Sequence, residues 1–210
     1  MIKIKVIFNK EYDIQRVLNT IKRLDWYTEN NYNYKNISFS KILNKEKIKD
    51  YSDKEIEDAV VAEYSDDLYK DNEKFLLDNW TSVSKEIEPA FSRSGLLLQD
   101  EYRVYLTKYG MGGSYDLPNV VIINLINSFR VGMLKTIIHE IIHLGIQKYV
   151  DEYKINQGQK ERIVDLFFLK NFPRRVFTQN VYMSMDTEKS DQIFDDNFPD
   201  MKAVIEKISK

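Results

Sequence analysis

The stretch MLKTIIHEIIHLGIQ, residues 133 to 147, constrains the fold more than any other part of the chain. Ile137, Ile138, Ile141, Ile142 and Leu144 make it a very apolar helix that belongs in a core, yet it carries the only two histidines of the 210-residue sequence with a glutamate between them. Burying a carboxylate and two imidazoles among isoleucines without partners costs on the order of several kcal/mol. A bound metal ion removes that cost, and the spacing permits one. Residues i and i+4 of a helix lie one turn apart on the same face, so His139 and His143 can point both rings at one ion. Glu140 lies about 100° around the helix from His139. There it can reach a water at the ion but is badly placed as a ligand.

A catalytic zinc site usually has three protein ligands and one open position. The sequence has no third histidine and no cysteine, so the third ligand must be a carboxylate. GQKERIVDLFF supplies Glu161 and Asp165, four apart on one face of a predicted helix and eighteen residues beyond His143. In a chain that is 30% charged, such a pair taken alone reads as a solvated helix face. Its setting among Ile163, Val164, Leu166, Phe167 and Phe168 argues for more. With Glu161 as ligand and Asp165 accepting the outer ring N–H of one histidine, the site is complete. Asp151 and Glu152 are closer in sequence but too near the helix end to fold back.

The rest of the chain supplies the setting. IKIKVIF (2–8) alternates as a strand does, and Ile14, Val17, Leu18 and Ile21 define a helix near 11–24. TENNYNYKNIS (28–38) reads as a surface loop. Ser52 and Glu55 have capping-box spacing ahead of a helix marked by Ile56, Val60, Tyr64 and Leu68. Leu76, Trp80, Val83 and Ile87 mark another, which Pro89 is expected to stop. DEYRVYLTKYG and NVVIINL are β-rich and flank the glycine-dense GMGGSYDLP, expected to be a turn. GQKERIVDLFFLKNF and PDMKAVIEKISK read as two further helices. The predicted organisation is one domain, 1–210, with a mainly helical part (1–98) that carries no recognisable chemistry and a catalytic core (99–210).

Thirty-one Lys and Arg against thirty-three Asp and Glu leave a net charge of −2, too weak a field to bring the whole chain onto nucleic acid or an anionic membrane. No apolar stretch is long enough to span a bilayer, and the N-terminus is too interrupted for a signal sequence. A cytoplasmic protein is expected if Met1 is the native start.

HEIIH followed by ERIVD resembles the zinc-binding pattern of gluzincin metallopeptidases, in which a second helix supplies a glutamate ligand and an aspartate four residues later supports a histidine. The likeness covers the segment from YGMGGSY to ERIVD and does not reach the N-terminal helical part. The metzincin pattern would need a histidine where Tyr149 stands. The resemblance implies a zincin-like α+β fold, with a small sheet over the active-site helix and the ligand helix alongside. It also implies Zn2+ held by His139, His143 and Glu161, Glu140 as general base, Asp165 behind a histidine, and a peptide or protein substrate. YGMGGSY would be the rim strand and NVVIIN the next strand inward, although the same residues also fit a plain glycine-rich hairpin. Gluzincins commonly draw an oxyanion donor from beyond the third ligand, which points to Tyr182, Arg174 or Arg175. Two other readings stand beside a peptidase: a non-catalytic metal-stabilised domain that binds peptides or partners, and an α+β interaction protein in which the motif is accidental.

Overall fold

Backbone pairing joins β1 (Lys3–Ile7), β2 (Glu101–Thr107), β3 (Gly113–Asp116) and β4 (Val120–Asn124) in one sheet of order β1-β2-β4-β3. The computed structural model describes residues 1–30, 32–126, 130–173 and 187–210, and over these the chain is a mainly helical mixed α/β structure. β1 and β2 run parallel, as do β2 and β4, while β3 turns back antiparallel on β4 and forms an edge. Val104 and Leu106 of β2 and Val121 and Ile123 of β4 face one core with Ile137, Ile138, Ile141 and Ile142. That face is covered by the helices α4 (Asp66–Arg93) and α5 (Arg130–Tyr153). The apolar histidine helix is thus the centre of the molecule. α5 also packs against α6 (Gln157–Asn171) and α8 (Met201–Ile208), and α7 (Glu188–Asn197) closes against both of these. Among the described residues no helix is long and apolar enough to cross a membrane.

The other sheet face receives α1 (Lys10–Lys22). Tyr12 stacks on Tyr105 of β2 with ring centroids 4.4 Å apart. Thr107 Oγ1 donates to buried Asp13 at 2.6 Å, and the Tyr69 hydroxyl donates to the same carboxylate. This network ties α1 to both β2 and α4. A smaller apolar cluster, including Val17, Tyr27, Ile37, Phe39, Ile56 and Tyr109, joins α1 to α2 (Leu24–Glu29) and α3 (Asp53–Glu63). The N-terminal part is therefore built into the whole, since β1 belongs to the sheet and Leu76, Trp80, Val83 and Ile87 of α4 lie in the main core.

Several local expectations are corrected by tertiary context. α4 runs through Pro89 to Arg93, because Ala90 and Phe91 beyond it are buried in the main core and hold the last turn in place. The helix expected to continue from Ile56 through Leu68 breaks at Tyr64, whose backbone is extended. A new helix then starts with Asp66 and Asp67 in its first turn, where acidic side chains suit the helix dipole. The break shifts the phase, so Leu68 is exposed and Tyr69 takes the buried position. The capping box of Ser52 and Glu55 is present as read.

The 28–38 segment is less of a surface loop than its composition suggests. Ile37 is buried, and Ser38 and Gly110 exchange two backbone hydrogen bonds of 2.9 and 2.8 Å. Within GMGGSYDLP, residues 113–116 form β3. β3 is an edge strand and pairs antiparallel with its sequence neighbour β4 through a turn at 117–119. The glycine-rich hairpin expected between the two β-rich runs does not form, because β2 and β4 pair in parallel and the glycines lead into β3 instead. α7, on a strongly polar sequence, had no expectation.

Candidate metal centre

The spacing of α5 does what the helix geometry requires. His139 and His143 bring their Nε2 atoms to 3.0 Å from each other. α6 starts with a capping box of Asn156 and Gln159, which sets its direction, and its second turn carries Glu161 across to α5. Glu161 Oε2 lies 3.5 Å from His139 Nε2 and 3.3 Å from His143 Nε2. Three donor atoms from two helices thus converge on one point, and these residues could together hold a metal ion. For a tetrahedral ion with ligands at roughly 2.0–2.1 Å, neighbouring donors should stand about 3.3 Å apart. The observed triangle brackets that value.

The electrostatics point the same way. Three lone-pair donors facing each other repel unless a proton or a cation sits among them. Burial acts to lower His139, yet the carboxylates of Glu161, Glu140 and Asp165 raise it overall. Burial lowers His143 to about 4, with Glu161 only partly opposing. Burial acts to raise Glu161, but the two imidazoles hold its carboxyl well below the usual carboxylate range. The cluster therefore keeps an anionic carboxylate against two rings, the donor set a divalent cation takes.

Glu140 points from the same helix toward β3. It is 6% exposed, and burial pushes its carboxyl up to about 7. The close approach of β3 depends on Gly113, where an added Cβ would stand 2.5 Å from Thr136 Cγ2 and nearer still to Glu140 Oε1. The glycine thus lets the edge strand pass directly over the Glu140 carboxylate.

Asp165 faces the outer nitrogen of His139, as expected, but its oxygen is 4.0 Å from Nδ1 and so too far for a hydrogen bond. Among the described residues, buried Nδ1 of His143 has no hydrogen-bond partner. Tyr182, Arg174 and Arg175 lie outside the described residues.

The sequence did not single out several neighbours that complete the site. The Tyr115 ring of β3 stacks on His143, with centroids 5.0 Å apart and planes 12° apart. The Tyr115 hydroxyl donates to Gln147 Oε1 at 2.6 Å and accepts from Lys160 Nζ at 3.1 Å. Gln157 Nε2 donates to Glu161 Oε1 at 2.7 Å and to the Tyr32 hydroxyl at 3.1 Å. Gln157 alone had a readable signal, since it sits four residues before Glu161 on the same helix face. A cavity of about 530 Å³ opens over the cluster, walled by β3 on one side and by Trp26, Tyr27 and Tyr32 on another. The N-terminal part, expected to carry no chemistry, supplies that aromatic wall. No family model matches the chain, nor does any curated protein or solved structure.

Proposed function

We propose that this chain is a zinc-dependent metallopeptidase of gluzincin type with a zincin-like core. One observation carries the reading: two imidazole nitrogens and a carboxylate oxygen stand 3.0 to 3.5 Å apart at the floor of a cavity, with a second, buried carboxylate beside them. A structural site has no use for Glu140, whose burial is costly; a hydrolytic site needs it.

His139, His143 and Glu161 would hold the ion, which supplies Lewis acidity to water and to a scissile carbonyl. Glu140, with a carboxyl near 7, is matched to taking a proton from the attacking water and giving it to the leaving nitrogen. Gln157 occupies one oxygen of Glu161 and leaves the other for the ion. Tyr115 fixes the ring plane of His143. Among the described residues no strand pairs with the outer edge of β3, so its backbone N–H and C=O groups along the cavity offer a template for an extended peptide.

The test is elemental analysis of protein purified without added metal, covering zinc, iron and manganese, together with hydrolysis of a quenched-fluorescence peptide library. Wild type should carry about one zinc per chain and cleave. Glu140→Gln should keep the metal and lose cleavage, and Glu161→Ala should lose both. Zinc retained with no cleavage by wild type would favour the alternative, a metal-stabilised peptide-binding domain. No metal after zinc is offered would leave the motif an accident of an apolar helix.

A further inference from the structure

The reaction proposed above puts a negative charge on the carbonyl oxygen, and that charge needs a donor besides the ion. As the water oxygen bonds to the carbonyl carbon, the C=O π pair moves onto oxygen while Glu140 takes the water's proton. On collapse that pair re-forms C=O, the C–N bond breaks, and the proton on Glu140 passes to nitrogen. Between these steps the oxygen is anionic.

We propose that Lys160, steadied by the Tyr115 hydroxyl, is the cationic site for this oxyanion, an assignment that rests on the peptidase reading. Lys160 lines the cavity and precedes the ligand Glu161 in α6. Its Nζ donates to the Tyr115 hydroxyl at 3.1 Å and stands 5.4 Å from the centroid of the ring that stacks on His143. An ammonium has three N–H groups, so two remain after that bond. Among the described residues no carboxylate lies within ion-pair distance of it.

The cavity's other lysine and arginine side chains, and the Tyr115 hydroxyl itself, are worse placed. The Tyr115 hydroxyl gives its own proton to Gln147. Lys135 lies over the Phe168 ring and near Asp165, on the outer side of His139. Arg23 is exposed at the end of α1.

The experiment uses zinc-loaded full-length protein, a peptide substrate taken from the library, and a dipeptide phosphonamidate as a tetrahedral anion. Removing one oxyanion donor costs about 100- to 1,000-fold in kcat. Lys160→Met should therefore lower kcat by about that factor with KM changed less than about threefold, while zinc content stays at wild type. Phosphonamidate binding should weaken in parallel. Lys160→Arg should recover most of both, and Tyr115→Phe should lower kcat less than Lys160→Met does. Wild-type kcat and phosphonamidate affinity in Lys160→Met would overturn the assignment and leave the peptidase reading standing. A loss confined to KM would overturn it in favour of substrate anchoring. If Lys160→Met loses zinc, Lys160→Arg and Lys160→Gln with full zinc decide: equal kcat in the two overturns it. A zinc-loaded wild type that cleaves nothing removes the peptidase reading and this assignment with it.

Discussion

Replacing Gly113 by alanine adds one methyl group at the point where the edge strand crosses the candidate base. Gly113 has an ordinary backbone conformation, so the change introduces no φ/ψ strain and its effect is purely steric. The new Cβ would meet Thr136 Cγ2 at 2.5 Å and the Glu140 carboxylate oxygen more closely still. Restoring an ordinary carbon–carbon separation of about 3.5 Å takes a shift of about 1 Å. Neither neighbour yields cheaply, because Thr136 is on the central helix with its hydroxyl bonded to Gly132 O at 3.0 Å, and Glu140 is 6% exposed. Overpacking of this size costs about 1–3 kcal/mol. In a chain of this length that lowers Tm by roughly 2 to 12 °C. A 1 Å misplacement of a catalytic group costs about 100-fold in rate. None of His139, His143 and Glu161 is touched, so zinc content should stay at one per chain. Calorimetry, elemental analysis and library hydrolysis on the same preparation read all three. An unchanged Tm would refute the packing argument, and full turnover would refute the placement of Glu140 under β3.

In metal-free protein, Glu140 has a folded pKa of about 7 against an ordinary 4.5. The folded state then binds its proton more tightly than the unfolded state, so stability falls as pH rises from about 4.5 to 7, by up to about 3 kcal/mol. Glu140→Gln should therefore stabilise the metal-free protein at pH 8 and match wild type near pH 4; a gap that ignores pH, in urea titrations, would contradict this. Gly145→Ala gains about 1 kcal/mol in helix propensity. It also drives a Cβ to 2.6 Å from Cε1 of fully buried Phe91. The clash, about 1–3 kcal/mol, should win, so Tm should drop; a rise would mean the Phe91 ring moves freely. Tyr69→Phe removes one hydrogen bond to Asp13 and, among the described residues, leaves Thr107 as the one side-chain hydrogen-bond donor to that buried carboxylate. A loss of about 1–3 kcal/mol is expected, read as a lower urea midpoint at an unchanged m-value.

What could be read from the sequence was local. His139, Glu140 and His143 fall within one helical turn or so, and Glu161 lies on the next helix, so helix geometry and one short connection bring them together. The polar neighbours follow from chain crossings that no local pattern encodes. Tyr115 reaches His143 because β3 turns back at the edge of a sheet whose other strands are parallel. Trp26, Tyr27 and Tyr32 reach the cavity because α1 lies across the far face of that sheet. Pro89 shows the reverse failure, a sound local rule overridden once Ala90 and Phe91 are buried. At Tyr64 the backbone turns extended and the chain restarts as α4 with two aspartates in its first turn, although Ser65 makes no side-chain cap, so the continuing four-residue spacing misled.

Gln157 donates through a single amide nitrogen to Glu161 on one side and to Tyr32 on the other. Glu161 belongs to the candidate metal cluster and Tyr32 to the wall that bounds the cavity, so the two share a common strut. Widening the cavity at Tyr32 slackens the bond that aims Glu161, and turning Glu161 shifts the wall. Through this strut the position of Tyr32 and the orientation of Glu161 are coupled, so a sequence change at Tyr32 acts on the candidate metal cluster as well as on the cavity.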